Sequence, residues 1–233
     1  MIAAVGAIGV AVVGALVHGT YQRNSPVFGS ALGRLPVGGA DDRPVALTFD
    51  DGPNPDATPR ILDALAERGA VATFFLLGRH VERWPAIARR VAAEGHTIGN
   101  HGWHHRKLHT QGPASVRHDL VMGTDAITGA TGVQPAVFRA PHGFRSPWVS
   151  AIARSLGQRT IGWSLGVWDT ACPGVDAIVE RTVSGIRPGS ILLLHDGDGY
   201  DALGDRSQTA AAVPRIVTTL ASAGYRLVGV PAA

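Results

Sequence analysis

The segment VALTFDDGPN, residues 45–54, joins an apolar run to two adjacent acidic residues, Asp50 and Asp51, and then to a Gly-Pro pair. The run 45–49 is typical of a buried strand, and the Gly-Pro pair marks its end. At the end of such a strand, both carboxylates can face one cleft at the rim of the sheet. Neighbouring carboxylates repel each other, and a bound metal ion commonly offsets that repulsion. The segment therefore predicts a buried strand that ends at a metal site.

Short apolar runs alternate with segments of helical periodicity along the rest of the chain. The predicted strands are residues 45–49, 71–77, 96–99, 136–138, 160–164, 190–194 and 226–230. The predicted helices lie between them, at residues 58–68, 81–94, 114–129, 147–156, 175–186 and 208–223. This alternation predicts an α/β fold with a mainly parallel sheet, closed or nearly closed into a barrel. In such folds the active site lies at the carboxyl ends of the strands.

Polar residues follow several of the predicted strands. They are Asp50 and Asp51 at the first strand, the segments NHGWHH (100–105) and RAPHGF (139–144) after the third and fourth, Asp169 after the fifth and His195 at the end of the sixth. The spacing of His101 and His105 can aim both imidazoles at one point, where an Asp would complete a two-His, one-carboxylate metal site. An isolated pair of this kind is also typical of a His-rich surface loop. The acidic pair at another strand end favours the metal site.

In this order and spacing, the segments TFDDGPN, HGWHH, RAPHGF, the region of Asp169 and ILLLHD resemble the five motifs of a known family. It is the polysaccharide deacetylase family, also called carbohydrate esterase family 4 or the NodB-homology domain, and the resemblance spans residues 41–233. It implies a distorted (β/α)7-type barrel of mainly parallel strands. It also implies a hydrolase that removes N- or O-linked acetyl groups from sugars with a divalent metal, zinc being the expected ion and cobalt an alternative.

The resemblance assigns roles to individual residues of this chain. The implied metal ligands are Asp51, His101 and His105. The implied catalytic residues are Asp50 as base, Arg139 holding that base, His195 as acid and Asp169 tuning the acid. Leu193 would line the acetyl pocket, and the backbone amide of His142 would help to form an oxyanion hole. Two tryptophans flank the expected site and are candidates for stacking on sugar rings, Trp103 and Trp168.

Three positions depart from the family pattern. Gly102 stands where a Ser or Thr usually follows the first metal-binding His, so a hydrogen bond that steadies that loop is missing. Thr170 replaces a Trp in the fourth motif, and His142 replaces an aromatic residue in the third. The expected metal ligands, base and acid are all retained, so these changes bear on the sugar pocket. The sequence leaves the polymer open among chitin oligomers, peptidoglycan glycans and acetylated xylan.

Two other functions remain as alternatives at this point. The segment GWSLG, residues 162–166, matches the nucleophile elbow of serine hydrolases, with Ser164 followed by Asp169 and His195 in the expected order. An elbow requires a helix directly after the Ser, whereas Pro173 and a glycine follow here without helical periodicity. A catalytically silent carbohydrate-binding protein is the other alternative, although it would be expected to lack the base or the acid.

The composition is that of a globular protein, with 45% hydrophobic and 17% charged residues. The net charge of +3 comes from 21 basic and 18 acidic residues without a basic run. It predicts no nucleic-acid partner, and a mildly basic surface would suit an anionic cell-wall polymer. Cys172 is the only cysteine, which excludes an internal disulfide. No protein partner is implied.

The N-terminal residues differ from the rest of the chain. Residues 2–17 carry no charge, and residues 1–20 are predicted to be a membrane anchor or an export signal, with membrane contact through residues 2–19. A buried core helix is the alternative. Residues 21–40 lack periodicity and are predicted to be a linker to a catalytic domain over residues 41–233. Either export reading places the domain outside the cytoplasm.

Overall fold

The core of the protein is a parallel sheet whose strands are joined by helices. The computed structural model describes residues 2–232, with side chains from residue 9 onward. The strands are β1 Pro44–Asp50, β2 Thr73–Leu76, β3 Thr97–Asn100, β4 Val137–Phe138, β5 Arg159–Thr160, β6 Leu165–Gly166, β7 Ile191–His195 and β8 Arg226–Leu227. The helices are α1 Ile2–Tyr21, α2 Ala57–Ala66, α3 Gly78–Arg83, α4 Pro85–Ala93, α5 Pro113–Thr131, α6 Val149–Ser155, α7 Val175–Gly185 and α8 Ser207–Ser222.

The strand order confirms the predicted fold class. The sheet runs β5-β4-β3-β2-β1-β7-β6, and β8 pairs with β1 beside this path. The pairs within the sheet are parallel. The seven strands β1 to β7 curl into a half-barrel, so β5 and β6 are its two edges. All their carboxyl ends therefore meet at one rim.

Strand β1 shows why the opening segment decides this architecture. Its seven residues are all buried. Val45, Leu47 and Phe49 pack with apolar residues of the surrounding helices. The alternate positions face the barrel interior, where Ala46 packs with an inner apolar cluster. This period of two places Asp50 on the inner face at the strand's end.

Two predicted elements are divided in the structure. The predicted helix 81–94 is two helices, α3 and α4, because Trp84 precedes Pro85 and adopts a non-helical conformation with φ −132° and ψ 62°. In place of the predicted strand 160–164 there are two short strands, β5 ending at Thr160 and β6 beginning at Leu165, at opposite edges of the sheet. Residues between these strands bond elsewhere, since the Gly162 amide donates to the Leu32 carbonyl.

Residues 21–40, which the sequence predicts to be a linker, contact the barrel in the structure. Leu32 pairs with Ile161 beside the edge strand β5, and the Leu35 amide donates to the Gly189 carbonyl just before β7. Phe28 and Leu35 are buried. The segment thus connects the edge strand β5 to the start of β7. The prediction missed it because these contacts join residues that are far apart in sequence and leave no periodic pattern.

A buried guanidinium fixes this N-terminal segment to the barrel. Arg145 is 1% exposed. It donates hydrogen bonds to the carbonyls of Gly29, at 2.9 Å, and Ser25, at 2.6 Å. Gly29 has φ +99°, a conformation that favours glycine. Without these carbonyls, a buried charge would lose its partners, which is costly.

Helix α1 precedes this segment. Its residues 9–18 are exposed. Among the residues whose side chains are described, no helix is both long enough and apolar enough to cross a membrane. The predicted anchor over residues 1–20 lies partly outside those residues and stays a prediction.

Deletion of residues 1–40 is expected to destabilise the protein. It removes the buried Phe28 and Leu35, each of which contributes about 1.5–3 kcal/mol on burial, and both carbonyl partners of Arg145. Deletion of residues 1–17 is the matched control, because residues 9–17 are exposed and the packed segment is kept. Thermal unfolding of both forms checks this. Equal midpoints for the whole chain and the longer deletion would contradict it.

Candidate active site

A cavity of about 540 Å³ opens at the carboxyl ends of the strands. Most of the residues singled out in the sequence line it: Asp50, Asp51, His101, His105, His142, Trp168, Asp169, Leu193 and His195. Arg139 lies behind them in the barrel interior and contacts Asp50. Trp103 is the exception. Residues from widely separated strands therefore meet in one cleft, as the rule for parallel sheets predicts.

The adjacent acids Asp50 and Asp51 both face this cleft because the backbone turns between them. Asp50 is the last inward residue of β1, and the next residue would face outward in a continuing strand. Asp51 instead has φ +75°, a left-handed conformation that is uncommon for residues other than glycine. Its carbonyl accepts a hydrogen bond from His80 Nδ1 at 2.8 Å, which holds the turn. The turn redirects the second carboxylate to the side of the first.

Asp51, His101 and His105 form a buried group whose ligand atoms lie within 4.8 Å of one another. The Oδ1 atom of Asp51 is 3.3 Å from His101 Nε2 and 3.2 Å from His105 Nε2. This buried oxygen has no hydrogen-bond partner among the described residues. His101 Nδ1 donates to the Arg139 carbonyl at 2.8 Å, which leaves its Nε2 free to face the group. A carboxylate and two imidazoles in this geometry fit a divalent metal such as zinc.

The electrostatics of this group favour a cation. Burial alone would lower the pKa of His101, but the negative charges of Asp50 and Asp51 raise it, so positive charge is stabilised at that point. Burial and the nearby histidines outweigh Asp51 and lower the pKa of His105 to about 3. Its imidazole is therefore neutral near pH 7, as a metal ligand must be. Burial would raise the pKa of Asp51, yet the three histidines around it hold that pKa well below its usual range.

Arg139 holds Asp50 in place from inside the barrel. Its guanidinium is fully buried and donates to Asp50 Oδ1 at 2.7 Å, to Thr48 Oγ1 at 2.8 Å and to the Gly162 carbonyl at 2.9 Å. The second oxygen of Asp50, Oδ2, lies 3.8 Å from His101 Nε2. One carboxylate oxygen is thus fixed by an ion pair, and the other lies beside the proposed metal ligands.

His195 lies beside Asp50, because the two residues are register partners on the neighbouring strands β1 and β7. Asp169 accepts hydrogen bonds from His195 Nδ1 at 3.0 Å and from its backbone amide at 2.8 Å. Thr209 donates a third at 2.9 Å. Burial would lower the pKa of His195, but the charge of Asp169 prevails and raises it to about 9. His195 is therefore protonated near pH 7 and can act as an acid.

The residues expected to contact sugar fall in different places. Leu193 and Trp168 line the cleft, and the Trp168 ring is 77% exposed. His142 lines it too, in a left-handed conformation, and its Nε2 lies 3.0 Å from the Tyr200 hydroxyl. Trp103 is not among the lining residues. Its ring packs so closely on Gly78 that a Cβ there would lie 2.6 Å from it, and its half-buried position is that of a packing residue.

Several residues that line the cleft were not proposed as site residues from the sequence, among them Arg23, Trp163 and Tyr200. Tyr200 belongs to the loop DGDGYD, which follows His195 in the chain, and its ring lies 5.3 Å from the His105 ring. Its closeness in sequence to His195 could have indicated that it lies near the site. Trp163 lies in the GWSLG segment. Arg23 lies in the supposed linker, and no local pattern marks it.

The structure argues against the serine-hydrolase alternative, because Ser164 is not placed as a nucleophile. Ser164 is not among the residues lining the cleft. Its hydroxyl accepts a hydrogen bond from the Ile191 amide at 3.0 Å and lies 3.4 Å from the Ile191 carbonyl. The strand β6 follows it directly, whereas a nucleophile elbow requires a helix. The hydroxyl of Ser164 therefore links the start of β6 to the first residue of β7.

Asp119 of α5 supports the loop that the sequence suggested was weakened by Gly102. Its Oδ2 accepts from the Trp103 amide at 2.9 Å, and its Oδ1 lies 3.0 Å from His104 Nδ1. A Cβ added to Gly102 would lie 2.5 Å from Asp119 Oδ2. The carboxylate thus occupies the space next to Gly102 and bonds the loop between His101 and His105.

Gly102 and Asp119 are expected to behave as a coupled pair. Gly102→Ser should destabilise the loop by collision with the carboxylate, and Asp119→Ala should do so by leaving the Trp103 amide unpaired, at about 1–3 kcal/mol. In the double variant the serine gains the vacated space, so the combined loss should be smaller than the sum. Thermal unfolding and zinc affinity of all four proteins measure the coupling. Strict additivity would contradict it.

Several known proteins are similar to this chain in sequence. The sequence profile of the family described as "Polysaccharide deacetylase" matches residues 38–161. The chain is 39% identical to a chitooligosaccharide deacetylase of Rhizobium leguminosarum bv. trifolii over 199 residues, which cover 83% of this chain and 93% of that protein. It is 38% identical to a peptidoglycan-N-acetylglucosamine deacetylase of Bacillus cereus over 195 residues, covering 82% and 87%.

A solved structure of a deacetylase is also similar to this chain. The Bc1960 peptidoglycan N-acetylglucosamine deacetylase superposes with a TM-score of 0.78 at 31% identity, covering 85% of this chain and 90% of that one. Sequence profile, relatives and structure all point to one group of proteins, the group whose motifs the sequence resembles. The chain therefore belongs to the polysaccharide deacetylase family.

Proposed function

We propose that the protein is a metal-dependent deacetylase that hydrolyses the acetamide of N-acetylglucosamine in chitin oligomers or peptidoglycan. The main observation in support of this function is that two carboxylates at the end of one strand have separate partners. Asp50 is paired with Arg139, whereas Asp51 lies between His101 and His105. This division supports a base and a metal ligand side by side. The similar deacetylases act on these two polymers by name, which supports the substrate class.

Asp51, His101 and His105 would hold the metal. Their donor set suits zinc, which we propose as the ion. When bound, it would polarise the acetyl carbonyl and lower the pKa of a water molecule. Asp50 accepts a proton from the attacking water as the general base. Its hydrogen bond from Arg139 fixes the position of the carboxylate.

His195 acts as the acid on the other side of the scissile bond. The attack of water on the acetyl carbon forms a tetrahedral intermediate, and its carbon–nitrogen bond breaks as the amine accepts a proton from His195. Asp169 keeps that proton available by its hydrogen bonds to the ring and amide of His195. The backbone amide of His142, which has no acceptor among the described residues, is a suitable donor to the oxyanion.

The proposal also covers how the polymer is bound and where the protein acts. Trp168 is the exposed aromatic residue that we propose to stack on a sugar ring of the polymer. A cell-wall polymer as substrate supports an extracytoplasmic location. Residues 1–20 are proposed to be an anchor or an export signal for that location.

Asp50→Asn and Asp51→Asn are expected to fail in different ways. Asn at position 50 leaves the three proposed ligands, so zinc content should persist while turnover falls about 10²- to 10⁴-fold, as for a lost general base. Asn at position 51 removes a charged ligand, so zinc affinity should fall and excess zinc should restore part of the rate. Metal analysis beside acetate release measures both effects.

Chelation of the unmodified protein supplies the control. Activity should disappear on chelation and return with zinc, and a serine-directed phosphonate should have no effect because Ser164 is bonded to the backbone. Equal zinc loss in the two variants would overturn the separate base. Full activity after exhaustive chelation would overturn the metal-dependent mechanism.

The rate should fall as the pH rises through about 9, because His195 then loses the proton that it donates. Asp169→Asn removes the charge that raises this pKa, so the alkaline limit should move to lower pH. Asp176→Asn is the control, since that side chain is 91% exposed and pairs with Arg215. The pH profiles of kcat/KM compare the three proteins. An unmoved alkaline limit in Asp169→Asn would exclude His195 as the titrating acid.

A further inference from the structure

Arg23 brings a charged side chain of the N-terminal segment into the wall of the cleft. It lines the cavity beside His142, Gly143 and Trp163. Its Nε donates to the Trp163 carbonyl at 2.9 Å, and its guanidinium carbon lies 5.2 Å from the centre of the Trp163 ring. Asn24 donates to the same carbonyl at 2.9 Å. Two consecutive residues therefore hold this arginine against the cleft, although its side chain is exposed to solvent.

The guanidinium of Arg23 has donors to spare. Its only described hydrogen bond uses Nε, so Nη1 and Nη2 are free of protein acceptors among the described residues. A guanidinium presents its terminal donors in a planar fork that matches the two oxygens of a carboxylate. Fixing the side chain at Nε reduces the entropy that would be lost on binding. The fork is thus oriented in advance at the cleft wall.

Arg23 also stands out in the charge balance of the cleft. The other fixed charges that line it are paired with opposite charges: Asp50 with Arg139, Asp169 with His195, and Asp198 with Arg206 at 2.7 Å. Asp51 faces the proposed metal site. Arg23 has no acidic partner among the described ion pairs. A cation in the wall of the cleft that has no acidic partner attracts an anionic group of the substrate.

We propose that Arg23 is a specificity-determining residue that binds a carboxylate on a sugar next to the acetylated one. This rests on the proposed deacetylase function and narrows its substrate to an acidic glycan. Chitin oligomers are neutral and offer no such group. A peptidoglycan glycan offers it from two sources, the lactyl carboxylate of N-acetylmuramic acid and the carboxylates of the peptide stem. Both present the same chemistry to the guanidinium.

The test compares four glycans with the zinc-loaded whole chain. They are chitopentaose, a peptide-free glycan of alternating N-acetylglucosamine and N-acetylmuramic acid, the same glycan with its lactyl carboxylates converted to methylamides, and a glycan with peptide stems. Acetate release gives kcat and KM for each. We expect the carboxylated glycans to have the higher kcat/KM, with a preference that declines as salt is added. The relative rates of the peptide-free and stem-bearing glycans identify the source of the carboxylate.

Arg23→Gln is the informative variant, because it removes the charge and keeps an amide that can donate to the Trp163 carbonyl. We expect its kcat/KM to fall about tenfold on carboxylated glycans, mainly through KM, as for a lost charge-assisted bond. On chitopentaose and the methylamide glycan it should match the unmodified protein. Arg117→Gln, an exposed change on α5, is the matched control and should alter none of these rates. Thermal unfolding checks that each variant is folded.

Several results would overturn the role of Arg23. These are equal activity of the unmodified protein on the carboxylated and methylamide glycans, an equal loss on all four glycans in Arg23→Gln, and no loss on any of them. An equal loss would indicate that Arg23 only positions Trp163. Failure of the proposed function is distinct, since the unmodified zinc-loaded protein would then release acetate from none of the four.

Discussion

The guanidinium of Arg139 is fully buried inside the half-barrel, and the alignment of the whole site depends on it. Its side chain ties Asp50 of β1 to the carbonyl of Gly162 beyond β5. Its own carbonyl accepts the hydrogen bond that orients the ring of His101. One residue therefore sets the direction of the proposed base through its side chain and of a proposed metal ligand through its main chain. Such a charge is tolerable in an apolar interior because it is paired and hydrogen-bonded, and the Phe75 ring lies 4.1 Å from it.

The parallel sheet supplies the second constraint. Asp50 and His195 are partners in the register of β1 and β7, so the proposed base and acid are held apart by the spacing of neighbouring strands. Each then receives its own partner from another part of the chain, Arg139 after β4 and Asp169 after β6. The left-handed turn at Asp51 brings a third carboxylate, beside those of Asp50 and Asp169, into the cleft without a further strand.

The sequence was sufficient for features that depend on local order. The apolar run 45–49 predicted the buried strand β1, and polar residues at the ends of several strands predicted the rim where they meet. It failed where contacts depend on partners far along the chain. The role of Asp119 beside Gly102, the burial of Arg145 against Ser25, and the closing of the barrel by residues 32–35 carry no periodic signal. Trp103 does not line the cleft, because proximity in sequence to His101 and His105 does not fix the direction of a side chain.

The packed N-terminal segment determines how the cleft is oriented toward anything that holds the N terminus. Tyr21 ends α1 and packs on Phe144, and Arg23 already lines the cleft two residues later. Two residues of extended chain span only about 7 Å. A flexible tether would let the enzyme reach glycan at many distances and angles, whereas the connection from Tyr21 to Arg23 is too short to allow such movement. Any surface that covers α1 would therefore hold the mouth of the cleft at a set height and angle, and would confine the enzyme to the layer of polymer directly above that surface.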